Sequence, residues 1–179
     1  MTRAFVAIRP PEPVLDAVDT RTRALELGSA RRAPREQWHI TVQFLGDDAD
    51  VDAVAAVLAG LRTPQGVVRL SPPGPLGNPK RSTVFAMFLV AGGGWLRMLA
   101  DEVAERVRPL GHEPEDRPFV PHLTIARYRR ATNMKAPVAA AGPEPVGEPW
   151  TVTEALLYES RRGRGPAEHV VRGRFPLHP

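Results

Sequence analysis

The feature that most constrains how this chain folds is an internal repeat, in which a strand, a helix, a loop and a histidine-containing strand follow one another twice. Short apolar runs and alternation of polar and apolar residues predict the strands, and apolar residues three and four positions apart predict the helices. In the first unit the three elements are predicted at 3–9, between Pro13 and Gly28, and at 38–46. In the second unit they are predicted at 82–90, 95–110 and 122–127.

The two units also match in spacing. His39 follows Phe5 by 34 positions, and His122 follows Phe85 by 37. Each histidine is followed two residues later by a threonine, Thr41 in the first unit and Thr124 in the second. Because alternate residues of a strand point to the same side, each histidine is predicted to share a face with its threonine.

The rest of the chain predicts further elements of an α+β fold. An amphipathic helix is expected over 51–61, a strand over 66–71, and a hairpin whose arms at 150–160 and 168–177 flank the Gly-rich turn RRGRGPA. We expect residues 1–179 to form a single domain of two similar halves related by a pseudo-twofold axis. Each half would contribute one His-x-Thr strand to a shared central cleft.

Composition narrows the classes of function. The chain contains no cysteine, which excludes disulfides, thiolate nucleophiles and cysteine zinc sites, so a cytoplasmic protein is expected. The apolar run near the N-terminus is too short for a signal peptide or a membrane span, and no association with a membrane is expected. No obligate protein partner is inferred.

Arginine dominates the basic residues. The formal net charge is +4, and basic residues cluster at 127–135 and 161–174. Guanidinium groups pair well with phosphates, so these clusters suit an anionic partner. A solvated basic face and a compositional bias toward arginine are the alternative interpretations.

Paired histidines suit hydrolysis of a phosphodiester. The ordinary pKa of histidine, about 6.5, lets the side chain give or take a proton near neutrality. One histidine can accept a proton from water while the other donates a proton to the leaving oxygen, and a nearby threonine hydroxyl can donate to a phosphate oxygen. A single His-x-Thr motif would more often be structural, but two copies at matching places favour a catalytic role.

The segments RAFVAI, HITVQFLG, RPFVPHLTIAR and ALLYESRRGRGPAEHVVRGRFPL resemble, in this order, the 2H phosphoesterase superfamily, and within it the bacterial and archaeal RNA 2',3'-cyclic phosphodiesterases once called 2'-5' RNA ligases. The resemblance implies a bilobal fold, with antiparallel sheets that line the cleft and helices outside. It also implies that RNA ends or small nucleotides with a 2',3'-cyclic phosphate are opened to 2'-phosphates without a metal or cofactor. The catalytic residues it implies are His39, Thr41, His122 and Thr124, with His39 as proton donor and His122 as proton acceptor, although the pseudo-symmetry leaves the opposite assignment open.

Two further positions correspond between the units. Phe44 and Arg127 each follow a histidine by five residues, and the resemblance implies that both contact phosphate or nucleotide. An odd offset places a side chain on the opposite face of a strand unless the strand bulges, so a core position is slightly favoured for Phe44 and phosphate binding for Arg127. The remaining histidines, His112, His169 and His178, are predicted to face solvent.

Three other functions fit the sequence less well than a two-histidine phosphodiesterase. An ATP-driven RNA ligase needs a nucleotide-binding loop or a reactive lysine, and neither Lys80 nor Lys135 lies in such a motif, so any ligation is expected to be ATP-independent and reversible. A binding module without activity would not require two groups suited to proton transfer. A metal hydrolase is disfavoured because neither motif has a nearby carboxylate or third histidine.

Overall fold

A computed structural model describes residues 3–114, 116–161 and 167–179 of the chain. Within these ranges the protein has nine strands: β1 (Arg3–Ile8), β2 (Arg31–Arg32), β3 (Ile40–Gly46), β4 (Gly66–Pro75), β5 (Ser82–Ala91), β6 (Leu123–Thr132), β7 (Val146–Val152), β8 (Glu154–Arg161) and β9 (Glu168–Pro176). The helices are α1 (Glu12–Thr22), α2 (Val51–Leu58), α3 (Gly93–Val107) and α4 (Lys135–Ala141). The predicted α+β class is confirmed.

The strands form two antiparallel halves that meet at the centre of the molecule. One half has the order β7-β4-β5-β6, the other continues as β3-β1-β8-β9, and β2 pairs with the free part of β6. The halves join at one residue pair, Ile40 of β3 opposite Leu123 of β6. A pseudo-twofold axis through this pair relates β3 to β6 and β1 to β5, as the repeat predicts.

The helices connect the two halves through a continuous core. Helix α1 follows β1 in the chain but packs against β7 of the other half, and α3 follows β5 but packs against β3. Apolar side chains from both halves therefore form one buried cluster, which includes Leu15, Ile40, Leu99 and Leu123. Burial of such side chains is the main stabilising term of the fold, at about 1.5–3 kcal/mol for each large side chain.

A glycine is required where β5 turns into α3. Gly92 has a φ of +82°, in the left-handed region that side chains rarely adopt. A Cβ atom at this position would lie 2.3 Å from the carbonyl oxygen of Val67. The GGG segment therefore allows α3 to begin close to the neighbouring strand β4.

Some predicted bounds differ from the structure; α2 and α3, for example, end at Leu58 and Val107 and so before the predicted ends at 61 and 110. Helix α1 ends at Thr22 rather than near Gly28. The Arg32 guanidinium donates to the carbonyl oxygens of Thr22 and Leu25, at and just beyond the end of the helix. The predicted strand 150–160 is divided at Thr153, where the chain leaves β4 and joins β1. Helix α4 was not predicted.

The C-terminal hairpin is confirmed, with a first arm that begins at Glu154 and not at residue 150. Strands β8 and β9 pair along their whole length, from Glu154 opposite Pro176 to Arg161 opposite Glu168. Residues 162–166 of the predicted Gly-rich turn lie outside the described residues. Among the helices of the described chain, none has the length and apolar character needed to cross a membrane.

Glu102 of α3 holds the segment after α2 by hydrogen bonds, so replacing it should lower the stability of the fold. Its carboxylate accepts hydrogen bonds from the backbone of Arg62 and Thr63 and from the Arg106 guanidinium. Glu102→Ala is expected to lower the free energy of unfolding by about 1–3 kcal/mol, the usual effect of losing hydrogen bonds to a charged group. Urea denaturation would measure the loss, and Glu105→Ala, at an exposed position of the same helix, is the matched control.

The same prediction has a pH dependence with a defined sign. Burial alone raises the pKa of Glu102, but hydrogen bonds from Thr63, Arg106 and Arg62 outweigh it and lower the pKa to about 2. The contribution of Glu102 is therefore complete above the ordinary value of 4.5 and is lost as the pH falls toward 2. Equal stability of the Glu102 and Glu105 variants near pH 7 would contradict this role.

Candidate active site

Both His-x-Thr motifs lie where the two halves of the sheet meet. His39 directly precedes β3, and His122 directly precedes β6. Ile40 and Leu123 are opposite each other in the antiparallel pair, and this register places His39 opposite Thr124 and Thr41 opposite His122. Each histidine thus faces the threonine of the other motif across the pseudo-twofold axis.

Each of these strands carries a bulge at the same distance from its histidine. In β3, Gln43 pairs with Val6 and Thr41 with Ala7, so Val42 has no partner on β1. In β6, Ala126 pairs with Phe85 and Thr124 with Ala86, so Ile125 has no partner on β5. An extra residue shifts the alternation of side chains, so an offset of five from the histidine returns to the histidine face.

The bulges decide where Phe44 and Arg127 point. Along β3 and along the first seven residues of β6 the burial pattern is the same, with the threonine half-buried and the residue three positions later exposed. That residue is Phe44, which is 40% exposed, in one strand and Arg127 in the other. A core position for Phe44 is wrong, because Val42 and Gln43 occupy the buried places on either side of the bulge.

The two histidine rings are held in the same way. The Nδ1 atom of His39 lies 2.6 Å from the carbonyl oxygen of Gln37, and Nδ1 of His122 lies 2.8 Å from the carbonyl oxygen of Val120. A carbonyl only accepts hydrogen bonds, so Nδ1 carries the hydrogen in both rings and Nε2 is left for proton transfer. In His39 the Thr41 hydroxyl, 3.2 Å away, donates to Nε2.

His39 lies in the more enclosed environment. Its ring stacks on that of Phe5 with 4.7 Å between centroids. The ring of Tyr158 also stacks on Phe5, with 5.2 Å between centroids. The pKa of His39 is lowered to about 4, chiefly by burial. The Gln37 carbonyl acts in the opposite direction, and any positive charge on His169, His122 or Arg127 acts in the same direction as burial. His39 is therefore neutral near pH 7.

The histidines, the threonines, Phe44 and Arg127 line one cavity of about 560 Å³. Arg3 and Arg31 line it and give it a basic rim. Arg32 also lines it, but its guanidinium donates to the carbonyl oxygens of Thr22 and Leu25. A larger groove of about 990 Å³ adjoins it at Thr41, Phe44 and His122. The described residues contain no group of three or more histidine, aspartate, glutamate or cysteine side chains placed to hold a metal ion.

Sequence reasoning missed His169 as a cleft residue. The ring of His169 is half-buried, lies 5.3 Å from the ring of His39 and lines the same cavity, so its predicted position in solvent is wrong. The pairing of His169 with Ser160, of Tyr158 with Phe5 and of Phe5 with Phe44 places all of them on one face. The position of His169 in the cleft follows from these three strand pairings and from no local pattern in the sequence. His178 is exposed as predicted, and His112 is half-buried.

Comparison with known proteins gives consistent matches. The model of a family described as the 2'-5' RNA ligase superfamily matches residues 10–164. A protein of Thermus thermophilus named RNA 2',3'-cyclic phosphodiesterase is 30% identical over 189 residues, which cover 98% of this chain and 90% of that protein. A protein of the same name from Aeropyrum pernix is 33% identical over 103 residues, and the match spans 56% of this chain and 58% of that relative.

Solved structures share the whole architecture. A crystal structure of a protein described as a phosphoesterase has a TM-score of 0.80 at 23% identity and covers 99% of both chains. TT0787 of Thermus thermophilus has a TM-score of 0.75 at 26% identity, with 98% of this chain and 97% of that chain covered. The bilobal fold expected from the sequence is confirmed by these likenesses.

Proposed function

Because the chain belongs to the 2'-5' RNA ligase superfamily, we propose that it is an RNA 2',3'-cyclic phosphodiesterase which opens terminal cyclic phosphates to 2'-phosphates. The observation that carries the proposal is the arrangement of two His-x-Thr motifs at equivalent places in one cavity, each histidine opposite the other motif's threonine. The continuous core supports a single domain that includes both halves.

In the proposed reaction, water attacks the phosphorus atom on the side opposite the ribose 3' oxygen. Nε2 of His122 accepts a proton from the water as the new P–O bond forms. Nε2 of His39 delivers a proton to the 3' oxygen as the P–O3' bond breaks, which leaves the phosphate on the 2' oxygen. The hydrogen bonds at Nδ1 support these roles, because they keep Nε2 of each ring directed away from the backbone.

As a donor, His39 must gain a proton when the substrate binds. The same burial that lowers the pKa of His39 in the protein alone strengthens its attraction to a bound phosphate anion, because charges interact more strongly away from water. An anionic substrate therefore raises the pKa of His39 at the moment the proton is needed.

Thr41, Thr124 and Arg127 are proposed to stabilise the negative charge on the phosphate oxygens. The Arg127 guanidinium lies 3.4 Å from the Thr124 hydroxyl, so both donors reach the same region. Burial and the nearby charge of Arg3 lower the pKa of Arg127, and a bound phosphate would relieve the repulsion between these two cations. Fixed donors of this kind provide the electrostatic stabilisation that a metal ion provides in other hydrolases.

Removal of either threonine hydroxyl should slow the reaction without changing its proton requirements. Thr41→Ala and Thr124→Ala are each expected to lower kcat/KM by about 10-fold to 100-fold, somewhat less than the loss of an oxyanion donor. The pH profile should stay bell-shaped. Thr151→Ala, on the exposed side of β7, is the matched control. A profile that became flat in Thr41→Ala would show that this hydroxyl takes part in proton transfer instead.

The pH dependence of kcat/KM should be a bell, since one histidine must be protonated and the other neutral. The profile of kcat/KM reports the free protein, in which a second proton on the histidine pair stops the reaction. The acid limb is therefore expected near the lowered pKa of His39, about 4. The profile of kcat reports the bound state, and its acid limb should lie at higher pH because the phosphate raises the pKa of His39. A flat profile of both parameters from about pH 5 to 9 would contradict the mechanism.

A second activity uses the same groups. When the 5'-hydroxyl of another RNA replaces water as nucleophile, attack on the cyclic phosphate joins O5' to phosphorus and releases the 3' oxygen. The product is a 2'-5' linkage, and the reaction needs no ATP and is reversible. We propose this ligation as a reaction of the same site, supported by the basic rim that adjoins it.

The decisive experiment for the function uses an RNA that ends in a 2',3'-cyclic phosphate. The protein is incubated with this RNA, with EDTA present, and the end group of the product is identified. Conversion to a phosphomonoester supports the proposal, whereas an unchanged cyclic end contradicts it. An identical RNA that ends in a 3'-phosphate is the control for unrelated phosphatase activity.

A further inference from the structure

His169 occupies a defined place beside the catalytic pair that the proposed mechanism does not use. It lies on β9 opposite Ser160 of β8, and its ring meets those of Phe5 and His39 edge-on, at 5.0 and 5.3 Å between centroids. The rings of His39, Phe5 and Tyr158 therefore pack around it. Gln37, whose carbonyl holds His39, also donates through its side chain to the carbonyl of Ala167, two residues before His169.

The environment of the His169 ring favours its neutral form. Its Nδ1 atom is buried and has no hydrogen-bond partner within the described ranges. An imidazolium carries a hydrogen on both nitrogens, so protonation would bury an N–H group without an acceptor, which is costly. Burial and the charge of Arg3 both lower the pKa of His169. In the neutral ring, the hydrogen is best placed on Nε2 and the lone pair on Nδ1.

We propose that His169 is a third histidine of the substrate site, whose Nε2–H donates a hydrogen bond to a phosphate oxygen of the nucleotide bound at His39. The inference rests on the proposed function, since it assumes a phosphate ester in the cleft. His169 lines the cavity that contains both His-x-Thr motifs, and its centroid distance from His39 allows one phosphate to contact both rings.

A neutral donor is well suited to this position. A lysine or arginine here would repel the proton that His39 has to gain, because two cations would lie about 5 Å apart away from water. A neutral imidazole holds the phosphate oxygen without this repulsion. His169 therefore binds substrate and takes no part in proton transfer.

The test compares two substitutions that differ in the donor. His169→Phe keeps an aromatic ring against Phe5 and His39 but removes the hydrogen bond. His169→Gln places an amide N–H close to the position of Nε2 and keeps a donor. The probe is 2'-AMP, whose binding is measured by titration calorimetry with the parent and both variants. His178→Phe, at an exposed position outside the cleft, is the matched control.

We expect His169→Phe to weaken binding of 2'-AMP by about 10-fold to 100-fold, the effect of one hydrogen bond to a charged group. His169→Gln and His178→Phe should stay within about threefold of the parent, a margin smaller than the loss of such a bond. In hydrolysis of the cyclic phosphate, KM should rise in His169→Phe while the bell-shaped pH profile is kept. If phenylalanine prevents folding, His169→Met gives the same comparison, because methionine matches glutamine in length and has no donor.

The outcomes separate this inference from the proposed function. Equal binding of 2'-AMP by the parent, His169→Phe and His169→Gln would overturn the role of His169, even if the parent hydrolyses cyclic phosphates. Loss of one limb of the bell in His169→Phe would also overturn it, because His169 would then transfer a proton. If the parent binds 2'-AMP in the predicted way but leaves cyclic phosphates intact, the proposed function fails and the binding role of His169 stands.

Discussion

His39→Ala and His122→Ala are each expected to lower turnover of a 2',3'-cyclic phosphate by about 10²-fold to 10⁴-fold, the usual contribution of a general acid or base. The reason is the position of the two rings, each with Nδ1 fixed by a carbonyl and Nε2 left for the proton. The double variant should be little slower than the slower single variant, because the two groups act as a unit. Single-turnover kinetics at saturating substrate would measure the effects.

The control for these variants is His178→Ala, which removes an exposed histidine outside the cleft. Circular dichroism and thermal melting would show whether His39→Ala, which removes the ring stacked on Phe5, remains folded. Near-normal turnover by either folded variant would mean that the two-histidine mechanism is wrong.

A sulfur substitution distinguishes the donor from the acceptor. The two possible protonation assignments give the same bell-shaped profile, so pH alone does not decide between them. A substrate with sulfur in place of the 3' oxygen has a leaving group that needs no proton. If His39 is the donor, this substrate restores much of the activity of His39→Ala and none of that of His122→Ala. The reverse pattern would exchange the two roles.

The histidine pair was predictable from sequence because it depends on local signals that occur twice. Alternation of polar and apolar residues identifies each His-x-Thr strand, and the spacing from Phe5 to His39 and from Phe85 to His122 relates the two units. A fold with two matching halves then brings the motifs together whatever the details of the loops. In the sheet, the two motifs meet at the pairing of Ile40 with Leu123.

The positions of Phe44 and Arg127 depended on a backbone irregularity that the sequence does not mark. Val42 and Ile125 are ordinary β-branched residues, and nothing in their identity distinguishes a bulge from a regular strand position. The irregularity arises because β1 and β5 pair with the bulged strands in a shifted register. Such register is set by packing between distant segments, so alternation alone gave the wrong side for Phe44.

Longer-range pairing explains the other differences. His169 reaches the cleft because β9 pairs with β8 in the predicted hairpin and β8 pairs with β1. The second pairing brings together residues from near the two ends of the chain, which local patterns do not reveal. The division of 150–160 at Thr153 also depends on partners, since β7 and β8 are both extended and differ only in the half of the sheet that they join. Local sequence patterns identify extended segments well but do not show with which strand each segment pairs.

The product of the reaction is expected to carry its phosphate on the 2' oxygen alone, and the rate should be unchanged by EDTA. Displacement at phosphorus proceeds with the entering and leaving oxygens on opposite sides, so the acceptor and donor must lie on opposite sides of the phosphate. The facing motifs of β3 and β6 provide this arrangement. Only the ribose oxygen beside the donor can leave, and with His39 as donor to the 3' oxygen the P–O2' bond is kept.

In the proposed mechanism the histidines transfer the protons, and Thr41, Thr124 and Arg127 stabilise the charge on the phosphate. No step of that mechanism would require a metal ion. Phosphorus NMR of the product from 2',3'-cyclic AMP distinguishes the two phosphomonoesters directly. A 3'-phosphate would show that the substrate binds in the opposite orientation, and activity lost with EDTA and restored by a divalent ion would show that a metal takes part.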